Sequence, residues 1–322
     1  MELPNEKIKL YAVRDFGQSL TVVMDFLRQN WKPVLIYLTY FLLPLSLVQA
    51  LSLNGFMGGY LDFLGSITTN AGDPSVTGMV TFALSLLAYL SLYIVGSLLM
   101  YGVVFGLMRI YERGEGKLGK VTWQELKPDF MLVLKRSVML TLVGIVIGLA
   151  IAAALGAVMF LFAMISAGLV LVGYLLLLVV LVFLMPPLSL ITPAYVFEDD
   201  IHLIDAIKKG CRLGFGTYFF TIGVMLVLGF IINIASQFTA LPWSIMFFIK
   251  MFFGLGIDGL DGSFTENVFY TFGTYLTGVL QCFGGYLSYV AIIIGSGYLY
   301  GHAAEKIDGR TVEQNIRNFE NL

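Results

Sequence analysis

Along the chain, apolar positions gather into six long runs separated by short polar stretches. The first run covers about residues 34–53 and the second about 76–110. The third and fourth, about 138–164 and 169–196, are parted only by residues 165–168; the fifth covers about 218–235 and the sixth about 268–300. A helix rises ~1.5 Å per residue against ~30 Å of hydrocarbon, so each run predicts a transmembrane helix. The second and sixth exceed what a bilayer needs and must tilt, kink or project beyond it. The shorter run 241–256 opens on Leu241 and Pro242 and contains Lys250. It reads as an interfacial or re-entrant helix rather than a seventh span.

A second pattern precedes every other run. Before the first, Phe16, Leu20, Val23, Met24 and Leu27 recur at helical spacing, while Arg14, Gln18, Asp25 and Arg28 fall largely on other faces. That is the signature of a helix lying in the membrane interface, with Trp31 at headgroup level and Pro33 marking the turn into the membrane. Before the third run, Thr122 and Glu125 have capping-box spacing, and Trp123, Leu126, Phe130 and Val133 form an apolar stripe. Pro128 fits such a helix badly and moves its expected start toward Lys127. Before the fifth run, Asp199 or Asp200 can cap a helix whose Ile204, Ile207 and Cys211 share a face. Acids at its start and Lys208, Lys209 and Arg212 in its last turn suit the helix dipole. The predicted fold is therefore an all-α integral membrane protein of six transmembrane helices. They form three units, each an interfacial amphipathic helix followed by a transmembrane hairpin, at about 14–113, 121–196 and 197–304 of one polytopic domain, with a cytosolic tail at 305–322.

Composition agrees: the 322 residues are 58% hydrophobic and only 12% charged, where soluble chains carry roughly 25% charged residues. Residues 1–33 hold five basic and four acidic residues ahead of any sustained apolar run. A cleavable signal is not expected there, and the first run serves as an uncleaved anchor. Under the six-span arrangement, 18 of the 19 Lys and Arg fall on one side, with Lys250 alone on the other. The positive-inside rule then places both termini in the cytoplasm. The outer loops, 54–75 and 237–266, carry Asp62, Asp73, Asp258, Asp261 and Glu266. Cys211 and Cys282 sit in a cytosolic stretch and in mid-span, so no disulfide is expected.

The stretches "FLRQNWKP" entering the first span and "ITPAYVFEDDIHLIDAIKKGCRLGFG" leading into the fifth resemble a broad group of bacterial six-span proteins. These include the membrane domain found on some glycerophosphodiester phosphodiesterases and related proteins of unknown function. Pro193, Glu198, Ala206, Lys209, Arg212 and Gly214 sit at the matching positions. The resemblance spans nearly the whole chain and rests on a loose, mainly topological motif. It implies a fold and an address in a bacterial inner membrane. It implies no activity, because the phosphodiesterase chemistry of those fusions belongs to a soluble barrel.

Candidate chemistry is sparse. The chain holds only two histidines, His202 and His302, and neither belongs to a metal-binding motif. No G-x-S-x-G element occurs, and the Gly- and Lys-rich stretch 112–120 lacks phosphate-loop spacing. No catalytic, metal or cofactor site is therefore assigned, and no basic patch with interleaved aromatics points to nucleic acid. Glu198, Asp199 and Asp200 with Lys208, Lys209 and Arg212 read as an interfacial elbow. The alternatives for the acids are cation binding or pairing with bases of a neighbouring unit. Pro186, Pro187 and Pro193 are a candidate hinge. In the sixth run, Thr274, Thr277, Gln281, Gly284 and Ser288 share one face, and Tyr275, Cys282, Tyr286 and Tyr289 the next. This stripe predicts either helix packing or a polar groove. Glycines four apart at 102/106 and 144/148 read as packing faces, and no charged residue lies in mid-span.

The expectation is a non-enzymatic inner-membrane protein that interacts with membrane lipids, or with a membrane-protein partner or a second copy of itself, without a cofactor. The rival readings are a permease or lipid flippase for a neutral or lipidic substrate, and a lipid-modifying membrane enzyme.

Overall fold

The computed structural model describes residues 7–69, 76–114, 116–254, 265 and 267–310. Within them the chain forms seven α-helices and no strand: α1 (Phe16–Thr69), α2 (Val76–Arg113), α3 (Trp123–Ile165), α4 (Ala167–Phe197), α5 (Leu203–Gly216), α6 (Tyr218–Gly254) and α7 (Val268–Asp308). All but α5 are long and apolar enough to cross a membrane. The protein is an all-α, multi-pass membrane protein with six candidate spans. Of the acids expected in outer loops, Asp62 falls inside α1, and Asp73, Asp258, Asp261 and Glu266 lie outside the described residues.

The three elbows differ in how far they stand apart from the spans that follow. The first joins its span through a kink at Asn30 (φ −123°, ψ 16°). The physical cause lies three residues on, since Pro33 has no amide to donate to Gln29 and its ring crowds that carbonyl. Asn30 repairs part of the break. Its Nδ2 donates to Phe26 O (3.1 Å) and its Oδ1 accepts from Leu118 N–H (2.8 Å) in a fully buried position. The second elbow does not stand apart. Helix α3 begins at Trp123, where Glu125 Oε2 accepts the Thr122 amide (2.8 Å), and runs unbroken through Pro128 to Ile165. A later start near Lys127 is therefore corrected.

The third elbow is a separate helix, α5, but its caps differ from the sequence expectation. Its N-cap is His202, not Asp199 or Asp200. Because α5 continues through its glycines to Gly216, Lys208, Lys209 and Arg212 lie in its middle rather than its last turn. The run 241–256 also changes meaning. As far as Gly254 it continues α6 through Pro242, so it is not an independent re-entrant element; residues 255 and 256 lie outside the described residues.

Burial follows small residues more closely than the apolar stripes. In α5 the buried residues are Ala206, Gly210, Leu213 and Gly214, whereas Ile204 and Phe215 stand exposed. A Cβ on Gly214 would come within 2.4 Å of Pro187 Cα, and one on Gly210 within 2.7 Å of Ile191 Cα. Bare backbone thus lets α5 lie directly on α4. In the first elbow Ser19, Val22, Val23 and Phe26 are buried, while Phe16, Met24 and Trp31 are exposed.

The contacts divide the chain into two compact units. The first gathers the described residues of Met1–Trp31, Tyr101–Leu228 and Ala291–Leu322, and the second those of Lys32–Met100 and Gly229–Val290. In the second, Leu53, Met57 and Leu61 of α1 meet Trp243 of α6 and Cys282 of α7. In the first, Phe105, Leu126, Leu190, Leu213 and Ile294 are fully buried, but α3 and α4 are bare over most of their length. A Cβ on Gly144, Gly148 or Gly156 of α3 would meet nothing within 4 Å among the described residues beyond its own helix backbone. We expect Gly148→Ala to stabilise the protein by up to about 1 kcal/mol, the ordinary helix-propensity gain. Thermal unfolding in detergent measures it, and a loss of stability would mean that another surface occupies that face.

Candidate functional site

The densest polar structure lies in the first unit, where the ends of α2, α4 and α7 meet α5 and the start of α3. Glu198, just past α4, has a side chain only 17% exposed. It accepts hydrogen bonds from Lys209 Nζ, from the Tyr300 hydroxyl and from Arg310 Nη1 (2.7 Å). Lys209 also stands 3.6 Å from Asp308 Oδ2, and Arg212 Nη2 meets Asp308 Oδ1 at 2.6 Å. One carboxylate thus ties α5 to the end of α7 and to Arg310 beyond it.

A second knot adjoins it. Arg109 Nε meets Asp129 Oδ1 (2.9 Å), its Nη2 meets Asp199 Oδ1 (2.6 Å), and its Nη1 donates to Val196 O. Arg113 closes on the other oxygen of Asp129. Arg136, stacked 5.1 Å from the Tyr195 ring centroid, donates to the carbonyls of Tyr195, Glu198 and Asp199. The last carbonyls of a helix have no partner within it and carry its negative dipole end. Arg109 and Arg136, from α2 and α3, supply those partners for α4. They act as its C-terminal cap in trans.

A strap formed by residues 7–15 lies against the same helix ends. Ile8 N–H donates to Tyr111 Oη (2.9 Å), Leu10 N–H to Glu112 Oε2 (3.3 Å), and Arg14 N–H to His302 Nδ1 (2.9 Å). The strap rests on Gly301, where a Cβ would come within 2.1 Å of Leu10 O. His302 stacks on Phe220 at 4.2 Å. Since Nδ1 accepts, the ring proton sits on Nε2, which is buried with no partner among the described residues.

Between these groups opens a cleft of about 280 Å³, lined by Leu10, Tyr11, Arg109, Glu112, Arg113, Phe197, Asp199 and Arg310. The Arg310 guanidinium lies 4.6 Å from the Tyr11 ring centroid. Burial pushes the Tyr11 phenol up to about 12, so it stays protonated as a donor. Burial also works to raise Glu198, but the hydrogen bonds from Lys209 and Tyr300 and the charge of Arg310 outweigh it and hold Glu198 below the usual range. The hydrogen bond from Arg109 does the same for Asp199.

A depressed folded-state pKa gives stability that is present above the unfolded value, about 4.3 for Glu, and lost as pH falls through the folded value. We expect the melting temperature to be insensitive to these two carboxyls from pH 8 to about 5 and to drop below about pH 4. Asp199, largely exposed, contributes little of that drop. Melting curves across pH check this, and the same acid loss in Glu198→Gln would contradict it.

The structure places the sequence-predicted residues in three ways. Glu198, Asp199, Lys209 and Arg212 enter the charged cluster. Lys208 pairs loosely with Asp205 (3.9 Å), and Asp200 is exposed with no partner among the described residues. Pro186, Pro187 and Pro193 remain helical within α4, with the Ser189 hydroxyl donating to Pro186 O (2.8 Å).

The α7 stripe lies in the second unit. Thr274, Thr277 and Ser288 donate their hydroxyls to their own helix backbone. Gly284 stands against Thr239, Cys282 joins the apolar cluster, and Tyr286 donates to Gln49 Oε1 (2.9 Å). Tyr275 reaches Leu47 O (3.1 Å), Tyr289 is exposed, and Gln281 Oε1 is buried with no partner among the described residues.

Among the described residues no three His, Cys, Asp or Glu side chains gather to hold a metal ion. No family model matches the chain, and no curated protein or solved structure matches it.

Tyr11, Arg109, Asp129, Arg136, Asp308 and Arg310 were not singled out by sequence, and Tyr300 was placed only on the polar face of the sixth run. One signal was there to be read. Asp129 falls on the apolar stripe of Leu126, Phe130 and Val133 and is itself buried, and a charge on a buried face requires a partner.

Proposed function

We propose that this protein is a non-enzymatic component of a bacterial inner membrane, an embedded module that contacts lipids or membrane-protein partners with both termini in the cytoplasm. The observation that carries this reading is where the charges go. Glu198, Asp199, Asp129 and Asp308 are spent on Lys209, Arg212, Arg109, Arg113 and Arg310, and Arg109 and Arg136 on helix-end carbonyls. Groups so engaged hold helix ends together rather than turn over a substrate.

The bare lengths of α3 and α4 support the second half of the reading, since apolar surface of that extent requires lipid or a partner helix. The basic residues favour a cytoplasmic placement of the charged cluster. Exposed Phe16, Met24 and Trp31 in the first elbow, and Ile204 and Phe215 in α5, beside charged neighbours, suit helices lying in the cytoplasmic leaflet.

Purification in native membrane patches, followed by mass spectrometry of co-purifying molecules, tests the proposal. A reproducible lipid or protein at stoichiometric amount is expected. A protein recovered bare, or one with hydrolase or transferase turnover abolished by a single substitution, would overturn it.

A further inference from the structure

We propose that the cleft at the ends of α2 and α4 binds the phosphate of a membrane phospholipid headgroup. The proposal rests on the reading of this protein as a lipid-contacting membrane module and names the chemistry it contacts. Three observations carry it.

The first is position. Arg109 and Arg113 close α2, Phe197 closes α4, and Arg310 lies just past α7, so the cleft opens where three candidate spans end. Bilayer phosphates lie just outside the hydrocarbon, where membrane spans end. Its volume of about 280 Å³ lies just below the range of drug-sized ligand sites, ~300–1,000 Å³, and suits a headgroup rather than a whole lipid.

The second is donors with no partner among the described residues. Tyr11 Oη has no hydrogen bond to any described residue, although its ring is gripped by Arg310 and edged by Tyr300 at 6.3 Å. Arg113 has a side chain 63% exposed and places one terminal nitrogen on Asp129, while the other has no partner among the described residues. Arg310 commits Nη1 to Glu198, and its Nη2 has no partner among the described residues. Arginine forks and a phenol match phosphate oxygens, which accept several hydrogen bonds at once.

The third is an anion already in place. Asp199, with a side chain 71% exposed, rests on Arg109 Nη2 at the wall of the cleft. It occupies a guanidinium that a phosphate oxygen can claim, and its exposure lets it swing away. Leu10 and Phe197 leave apolar wall for the glycerol end of the ligand.

The test uses the full chain in detergent, with dihexanoyl phosphatidylglycerol, dihexanoylglycerol and inorganic phosphate as separate probes. Calorimetric titration is expected to give saturable, one-to-one binding of the phosphatidylglycerol and none of the dihexanoylglycerol. Arg113→Gln and Tyr11→Phe should each weaken it about tenfold, the worth of one charge-assisted hydrogen bond. Asp199→Asn should tighten it, an effect that mere loss of structure cannot produce. Tyr11→Phe removes a hydroxyl bonded to no described residue, so it keeps the test valid even if Arg113→Gln unfolds the protein. Inorganic phosphate binding as tightly as the lipid would overturn the headgroup assignment in favour of a free anion. Absence of binding, or binding unmoved by all three variants, would overturn the site. Neither result alters what co-purifies from the membrane, so the broader reading stands or falls separately.

Discussion

Replacing Glu198 by Gln is expected to destabilise the protein by about 3 kcal/mol, the low end for removing one partner of a buried ion pair. The low end applies because the Glu198 side chain keeps 17% of its surface exposed and Lys209 21%. Glutamine retains the shape and can still accept from Tyr300, but it takes the carboxylate from Arg310 and leaves Lys209 only the longer contact with Asp308. Asp200→Asn, two residues on, is the natural control. Asp200 is exposed and has no partner among the described residues, so its change should stay within about 0.5 kcal/mol. Thermal unfolding of the two variants side by side reads the difference. Equal melting temperatures would mean that the cluster holds nothing together.

Gly214→Ala is expected to cost about 2 kcal/mol, against the direction that helix propensity alone gives. Alanine outranks glycine in a helix by about 1 kcal/mol, and Gly214 lies inside α5. The opposing term is steric. The new Cβ would sit 2.4 Å from Pro187 Cα and 2.7 Å from Pro187 N, and both are backbone atoms of a helix that cannot step aside. Overpacking of that kind costs typically ~1–3 kcal/mol and here exceeds the propensity gain. The contrast with Gly148→Ala, where nothing lies within 4 Å, separates the two effects in one protein. Equal or higher stability for Gly214→Ala would show that α5 does not rest on α4 in this way.

Runs of apolar residues made the six long helices legible from sequence, because lipid imposes a minimum length on a span and little else competes with that signal. Helix ends and elbows were less so. Local rules favour Asp199 as an N-cap and bases near a helix C-terminus, yet Asp199 is drawn to Arg109 and the cap falls on His202. The apolar stripes misled for a related reason. Next to a membrane, exposure to lipid also selects apolar side chains, so Ile204 and Phe16 mark an uncovered face as readily as a core. Protein-facing surfaces select small residues instead, as at Gly210 and Gly214. The α7 stripe of Thr, Gly and Ser has that packed character, with hydroxyls turned onto their own helix. The charged cluster was least legible, since Arg109, Asp129 and Glu198 are far apart in the chain and only the fold joins them. Asp129 alone, a charge on an apolar stripe, announced that something must meet it.

The charged helix ends are expected to lie together on one, cytoplasmic, side of the membrane. Reporter fusions at Gly116, between α2 and α3, at Gly210 in α5, and at Asp261, between α6 and α7, test that most directly. Cytoplasmic signals at Gly116 and Gly210 with an exported signal at Asp261 are the predicted result. An exported signal at either Gly116 or Gly210 would part Arg109 from Asp199 and contradict a single cytoplasmic cluster.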